Sequence, residues 1–221
     1  MRIIGGAVCA AAAAACLVAA LAGCDDGGGD ATQQAAVDAG RLKVLLGGIE
    51  DMPQGFSDHQ REQWKPPFRA KSGDCRVLFD AAAGRPPTRD LVAGTATTYE
   101  GKHVGETAAV GLAVYGDNAA GGVLGRLERA MRSCRVAAAG GPGKGDRLRA
   151  SRLPIKDVGD DVEARRLRGR VGGYPYEMHL VVARQGDALI TLVHGGVASA
   201  DVKGTAALAR VLVGRVSTLD L

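Results

Sequence analysis

Aromatic residues are scarce in this chain, at 4% of 221 residues, so its core must be built from aliphatic side chains. That length supports one core. Charge of one sign is also in short supply. The formal net charge is +4, and a nucleic-acid-binding domain would show a concentrated basic face with a recognisable reading element. Nucleic acid is therefore excluded as a partner. Catalytic signatures are missing too. GGPGKGD at 140–146 falls short of a phosphate-binding loop, because Gly145 follows Lys144 where Ser or Thr is needed and Ala138 stands where the first glycine should be. No G-x-S-x-G occurs, which excludes the nucleophile elbow of the α/β-hydrolases. Asp58-His59 has no serine or cysteine at a recognisable spacing and reads as a solvated loop pair. No internal repeat is visible.

The amino terminus has a clear pattern. Met1-Arg2 is a short positive start, and residues 3–20 carry no charge. This is the apolar region of a signal peptide in composition. Eighteen residues rich in Ala and Gly are marginal for crossing a hydrocarbon core of about 30 Å. Leu21-Ala22-Gly23-Cys24 resembles the lipobox of bacterial lipoproteins. The resemblance implies that Cys24 receives a diacylglyceryl thioether and becomes the first residue after cleavage. Each buried acyl CH₂ contributes about 0.8 kcal/mol, so two chains hold a protein on a membrane where one does not. Cys9 and Cys16 leave with the signal peptide. The following DDGGGDATQQ, residues 25–34, cannot bury enough surface to order itself and reads as a tether. The expected organisation is a signal peptide over 1–23, a lipidated cysteine and tether over 24–36, and one domain over 37–221. The expected place is the extracytoplasmic face of the cell membrane. Without residues 1–23, 27 basic side chains stand against 24 acidic ones.

With Cys24 acylated, Cys75 and Cys134 are left as a pair. An exported protein folds in an oxidising compartment, so a Cys75–Cys134 disulfide is expected. It would close a loop of about 60 residues, worth roughly 4 kcal/mol by chain entropy. No C-x-x-C is present, and two isolated cysteines make a poor metal or redox site.

Local pattern predicts an α+β domain with a curved, largely antiparallel sheet flanked by helices. Residues 35–48 can form a first helix ending at Gly47-Gly48. Residues 51–69 carry Pro53, Gly55, Pro66 and Pro67 and read as irregular. Cys75 opens a short helix with Val77, Leu78 and Ala81 on one side. Leu91–Tyr99 and Val104–Tyr115 read as a hairpin around Gly101. Residues 118–135 read as a helix capped by Asn118, with Val123, Leu127, Met131 and Cys134 on its buried face. Residues 137–145 read as a loop. Four strands follow, over 147–153, 162–170, 174–184 and 188–195. A helix over 199–216 closes the chain, with Val202, Ala206, Leu208, Ala209, Val211 and Leu212 as its apolar stripe.

One hairpin holds the candidate site. In YEMHLVVARQGDALITLVH, a Gln185-Gly186 turn would pair 184 with 187, 181 with 190, 179 with 192 and 177 with 194. A four-residue loop with 183 opposite 188 gives the same register. Glu177 would then face His194, with His179 on the diagonal. Two histidines and a carboxylate could bind a metal ion or move a proton. The plainer account is a polar patch satisfied by local hydrogen bonds. Arg126, Arg129 and Arg132 project outward from their helix, where phospholipid headgroups or anionic wall polymers could dock, or water alone. Trp64, the only tryptophan, either plugs the core or lines a pocket.

LLGGIEDMPQGF (45–56), the positions of Cys75 and Cys134, LPIKDVGDDVEARRL (153–167) and Arg184-Gln185-Gly186-Asp187 follow an order of features that resembles the PknH-like extracellular sensor domain and the related LpqN-type actinobacterial lipoproteins, over residues 40–218. The resemblance implies an α+β sandwich with a cleft for an envelope ligand, no cofactor and no catalytic residues. The chain has no kinase segment and no transmembrane helix, and one cysteine pair where some relatives have two. Signalling through an attached kinase is not carried over. The expected function is a lipid-anchored, non-catalytic binding or sensor-like module. The alternatives are an envelope enzyme or metal carrier using Glu177, His179 and His194, or an accessory lipoprotein that holds a protein partner.

Overall fold

Largely apolar central strands and more polar outer ones form a single open sheet, and helices pack on both of its faces. The computed structural model describes residues 40–47, 55–57, 63–141, 145–197 and 200–218. The signal peptide, Cys24, the tether and Asp58-His59 lie outside the described residues. Chain order is α1 (40–47), β1 (Phe56–Ser57), α2 (Gly73–Ala82), β2 (Leu91–Gly101), β3 (Thr107–Tyr115), α3 (Ala119–Ser133), β4 (Val136–Ala138), β5 (Arg147–Arg152), β6 (Asp161–Val171), β7 (Tyr174–Gln185), β8 (Ala188–Gly196) and α4 (Val202–Val216). The strands lie in the order β1-β2-β3-β8-β7-β6-β5-β4, and each neighbouring pair is antiparallel. This is the expected α+β class.

The sheet separates two cores. On one face, α2 and α3 bury Leu78, Phe79, Val123, Leu127 and Met131 against Leu148, Leu167, Met178 and Val193. Trp64 belongs to this core and stands edge-on to Phe79, with ring centroids 6.5 Å apart. It plugs the core, which settles the choice left open by the sequence. On the other face, α1 and α4 bury Leu42, Leu46, Leu208 and Leu212 against Val110, Val181, Ile190 and Leu192. The buried Tyr99 hydroxyl donates to the Leu46 carbonyl and ties α1 to β2. Cys75 and Cys134 form a disulfide that joins the first turn of α2 to the residue after α3.

Gly111 explains how α2 reaches the sheet. A Cβ there would sit 2.6 Å from Thr191 Oγ1 and 3.2 Å from the Ala81 carbonyl. Only hydrogen fits, and Thr191 Oγ1 then donates to that carbonyl at 3.2 Å.

Several expectations are corrected. Val77 is exposed, and Phe79 takes the inward position beside Leu78 on α2. The β2–β3 turn lies beyond Gly101, over residues 102–106, and leaves Val104 exposed outside the strand. Asn118 occupies the position before α3 in a left-handed conformation and makes no side-chain cap. Residues 136–138 are a short strand and not a loop, because Val136 pairs with Arg149 at the sheet edge. Helix α4 starts at Val202. It is capped by Asp201, whose carboxylate accepts from the backbone of Lys203 and Gly204. Ala206 and Val211 lie only partly inside, while Thr205 and Val213 are buried. Strand β1 arises within the stretch that reads as irregular, where Phe56 pairs with Gly101.

Candidate functional site

The β7–β8 hairpin closes through Gly186 and Asp187, with Gln185 opposite Ala188. Gly186 has φ +57° and Asp187 is not in the left-handed region, the pattern of a two-residue turn with glycine first. The expected register is therefore off by two residues. His179 lies directly opposite His194, and Glu177 opposite Gly196. A shift of two keeps every side chain on its face, so Glu177, His179 and His194 still share the face under α4.

Thr205, one turn into α4, sits between the two histidines. His179 Nδ1 lies 2.7 Å and His194 Nδ1 2.8 Å from Thr205 Oγ1. The Thr205 hydroxyl donates to the Asp201 carbonyl at 2.9 Å. A hydroxyl has one proton and two lone pairs. The hydroxyl therefore links both Nδ1 atoms to the first turn of α4, and its two lone pairs and one proton are divided among His179, His194 and the Asp201 carbonyl. His194 Nε2 is 3.0 Å from Glu106 Oε1. His179 Nε2 faces Glu177 Oε1 at 3.4 Å and has no hydrogen-bond partner. Glu177 in turn faces Arg166 Nε at 3.3 Å and Arg168 Nε at 3.4 Å. The result is a buried polar chain running from Glu106 through His194, Thr205 and His179 to Glu177.

Electrostatics follow from this placement. His179 is 0% exposed and His194 2%. Burial lowers the His179 pKa to about 4, and Glu177 opposes that shift without overcoming it. The neutral imidazole is therefore the resting form at neutral pH. Burial raises the Glu106 carboxyl, but hydrogen bonds from His194 and the His103 backbone outweigh it and leave the group below the usual carboxylate range.

The sequence brings Glu177, His179 and His194 onto one face, and the structure keeps them there. It does not converge them on a point. Both Nδ1 atoms turn to Thr205, and among the described residues no group of three or more His, Cys, Asp or Glu is placed to hold a metal ion. Glu106 and Thr205 were not anticipated. Glu106 lies 88 residues from His194 and arrives through β3–β8 pairing. Thr205 had a signal, since it precedes Leu208, Ala209 and Leu212 at helical spacing. Arg126, Arg129 and Arg132 are exposed on α3, as expected.

A cleft of about 520 Å³ opens on the α2 side of the molecule. Phe68, Phe79 and Pro66 contribute its apolar lining, and Arg69, Arg76 and Arg85 its basic groups. Arg85 is paired with Asp80 at 2.6 Å. Arg76 donates to the Lys71 carbonyl at 3.0 Å.

No protein-family model matches the chain, and no curated protein matches it. Among solved structures, it is similar to the extracellular domain of PknH from Mycobacterium tuberculosis, with a TM-score of 0.52 and 9% sequence identity over 81% of this chain and 91% of that one. At this identity the likeness is one of fold: the chain shares the architecture of that extracellular domain.

Proposed function

We propose that the protein is a lipid-anchored, non-catalytic sensor-like module on the extracytoplasmic face of the cell membrane. The observation that carries this reading is the fold shared with an extracellular domain over most of both chains. The disulfide supports it, since such bonds persist in oxidising compartments. Anchoring comes from Cys24 and the tether. The histidine cluster fits a structural role, because its ring nitrogens face the neighbouring side chains of Thr205, Glu106 and Glu177. The ligand occupies the cleft beside α2, where an apolar floor and guanidinium groups suit a small amphiphilic anion.

Native mass spectrometry of the protein extracted from its own membrane, without reductant, tests this. The expected species lacks residues 1–23, carries a diacylglyceryl group on Cys24, is oxidised at Cys75–Cys134 and retains a non-covalent adduct that an Arg76→Ala variant loses. A mass that keeps residues 1–23 and no lipid would overturn the anchor. A lipidated, adduct-free protein would overturn the ligand and favour a protein partner.

A further inference from the structure

Beyond the reach of α4, the face it covers is exposed and basic among the described residues. In β5 the residues pointing to this face are Arg147, Arg149 and Ser151, and in β6 they are Arg166, Arg168 and Arg170. Register places Arg147 directly opposite Arg170 and Arg149 directly opposite Arg168. Like charges directly opposite destabilise a strand pair, yet this sheet has two such rungs in succession. Glu177 is the single carboxylate among the residues of β4, β5, β6 and the adjoining end of β7 on this face. It faces Arg166, Arg168 and His179. Arg170 donates to the Gly173 carbonyl at 2.9 Å. Arg166 Nε is buried with no hydrogen-bond partner. Among the described residues of these strands, five guanidinium groups thus stand on this face with one carboxylate, and Arg168 remains 72% exposed at its side chain.

We infer that this arginine ladder is a docking surface for anionic phospholipid headgroups of the membrane to which the protein is tethered. Rungs repeat at about 6.6–6.8 Å along a strand and about 4.7–4.9 Å between strands, a spacing at which neighbouring phosphates can each engage guanidinium groups. A bilayer is favoured over a soluble polyanion by the position of the tether. The described chain begins with α1, which packs in the same layer as α4 on the ladder's side of the sheet. The chain from Cys24 to Gly40 reaches at most about 55 Å, so the ladder is held near the bilayer. This inference takes only the anchor from the reading above.

The mature chain, residues 24–221 bearing Cys24→Ser, lacks both the acyl groups and the apolar leader, and its co-sedimentation with phosphatidylcholine vesicles with or without phosphatidylglycerol reports the headgroups alone. The expected result is salt-sensitive binding to the phosphatidylglycerol vesicles only. Arg147→Gln/Arg149→Gln/Arg168→Gln weakens it about a hundredfold. Arg126→Gln/Arg129→Gln/Arg132→Gln, with the same charge loss on α3, leaves it unchanged. Equal loss in both triple variants would overturn the site. Binding to soluble polyphosphate but not to vesicles would overturn the bilayer as partner, and no binding to either would overturn the surface altogether. If Cys24 of the exported protein proves unlipidated while ladder-dependent vesicle binding persists, the anchor fails and the docking surface stands.

Discussion

Two neighbouring residues of β6 show how differently the faces of this sheet are built. Leu167 is 2% exposed and lies beneath α2 and α3 with Leu148 and Met178. Arg168 points the other way and faces solvent. One face is covered from β3 to β5, cross-linked by a disulfide and furnished with Trp64, Phe68 and Phe79. Among the described residues, the other is covered where α1 and α4 reach, and beyond them it exposes charge. The first face holds the domain together. The second leaves room for recognition, and the buried Glu106–His194–Thr205–His179–Glu177 chain runs between its dry and wet halves.

The largest test of that contrast is on the covered face. Cys75→Ala/Cys134→Ala opens a loop spanning 59 residues and is expected to cost about 4 kcal/mol in equilibrium denaturation. Leu167→Ala should follow at about 2–5 kcal/mol through the cavity it leaves. A loss well below 1 kcal/mol would mean that α3 does not press on this strand.

The chain of polar groups gives an intermediate effect. Thr205→Val keeps the shape but leaves two buried Nδ1 atoms without their partner, and is expected to cost about 1–3 kcal/mol. His179 sets a pH signature. Its folded pKa of about 4 lies below the unfolded value of 6.5, so the unfolded state binds the extra proton first. Stability is full above pH 6.5 and falls between 6.5 and 4 by up to about 1.4 kcal/mol per pH unit. His179→Gln should flatten that slope in urea melts run across the interval. An unchanged slope would assign it to other groups.

The smallest effect has the opposite sign. Arg149→Gln removes one member of a like-charged rung and is expected to raise stability by a few tenths of a kcal/mol. Leu167→Ala and Arg149→Gln, on strands that pair with each other, should therefore move the melting temperature in opposite directions.

Much of this was legible in the sequence. Alternation placed β5 to β8 within a residue or two, and Val123, Leu127 and Met131 announced the buried stripe of α3. The cysteine count pointed to the disulfide. Three things were hidden for physical reasons. Strand β4 is three residues of Val and Ala, too short to show a period. The hairpin register depended on which residues form the turn, and Gly186 takes its first central position. Glu106 joins the site only after distant strands pair. The arginine ladder was present in RLRASR and RRLRGRV as arginine at every second position, but only the register of β5 on β6 sets the charges face to face.

The partnership of β3 with β8 has a consequence for how the molecule forms. Strands β4 to β8 make a meander of local contacts, which fold early. The β2–β3 hairpin lies across the sheet from that meander and joins it solely along β8, with Thr107 opposite Gly195 and Val114 opposite Ala188. Its inner edge therefore stays open until the last strand has been made. A chain released before residue 196 would expose the unpaired edge of β3, rich in Ala and Val, for as long as synthesis takes to finish. The order of strands thus makes the carboxy-terminal hairpin the timekeeper of assembly, and truncation within β8 the most aggregation-prone lesion this chain can carry.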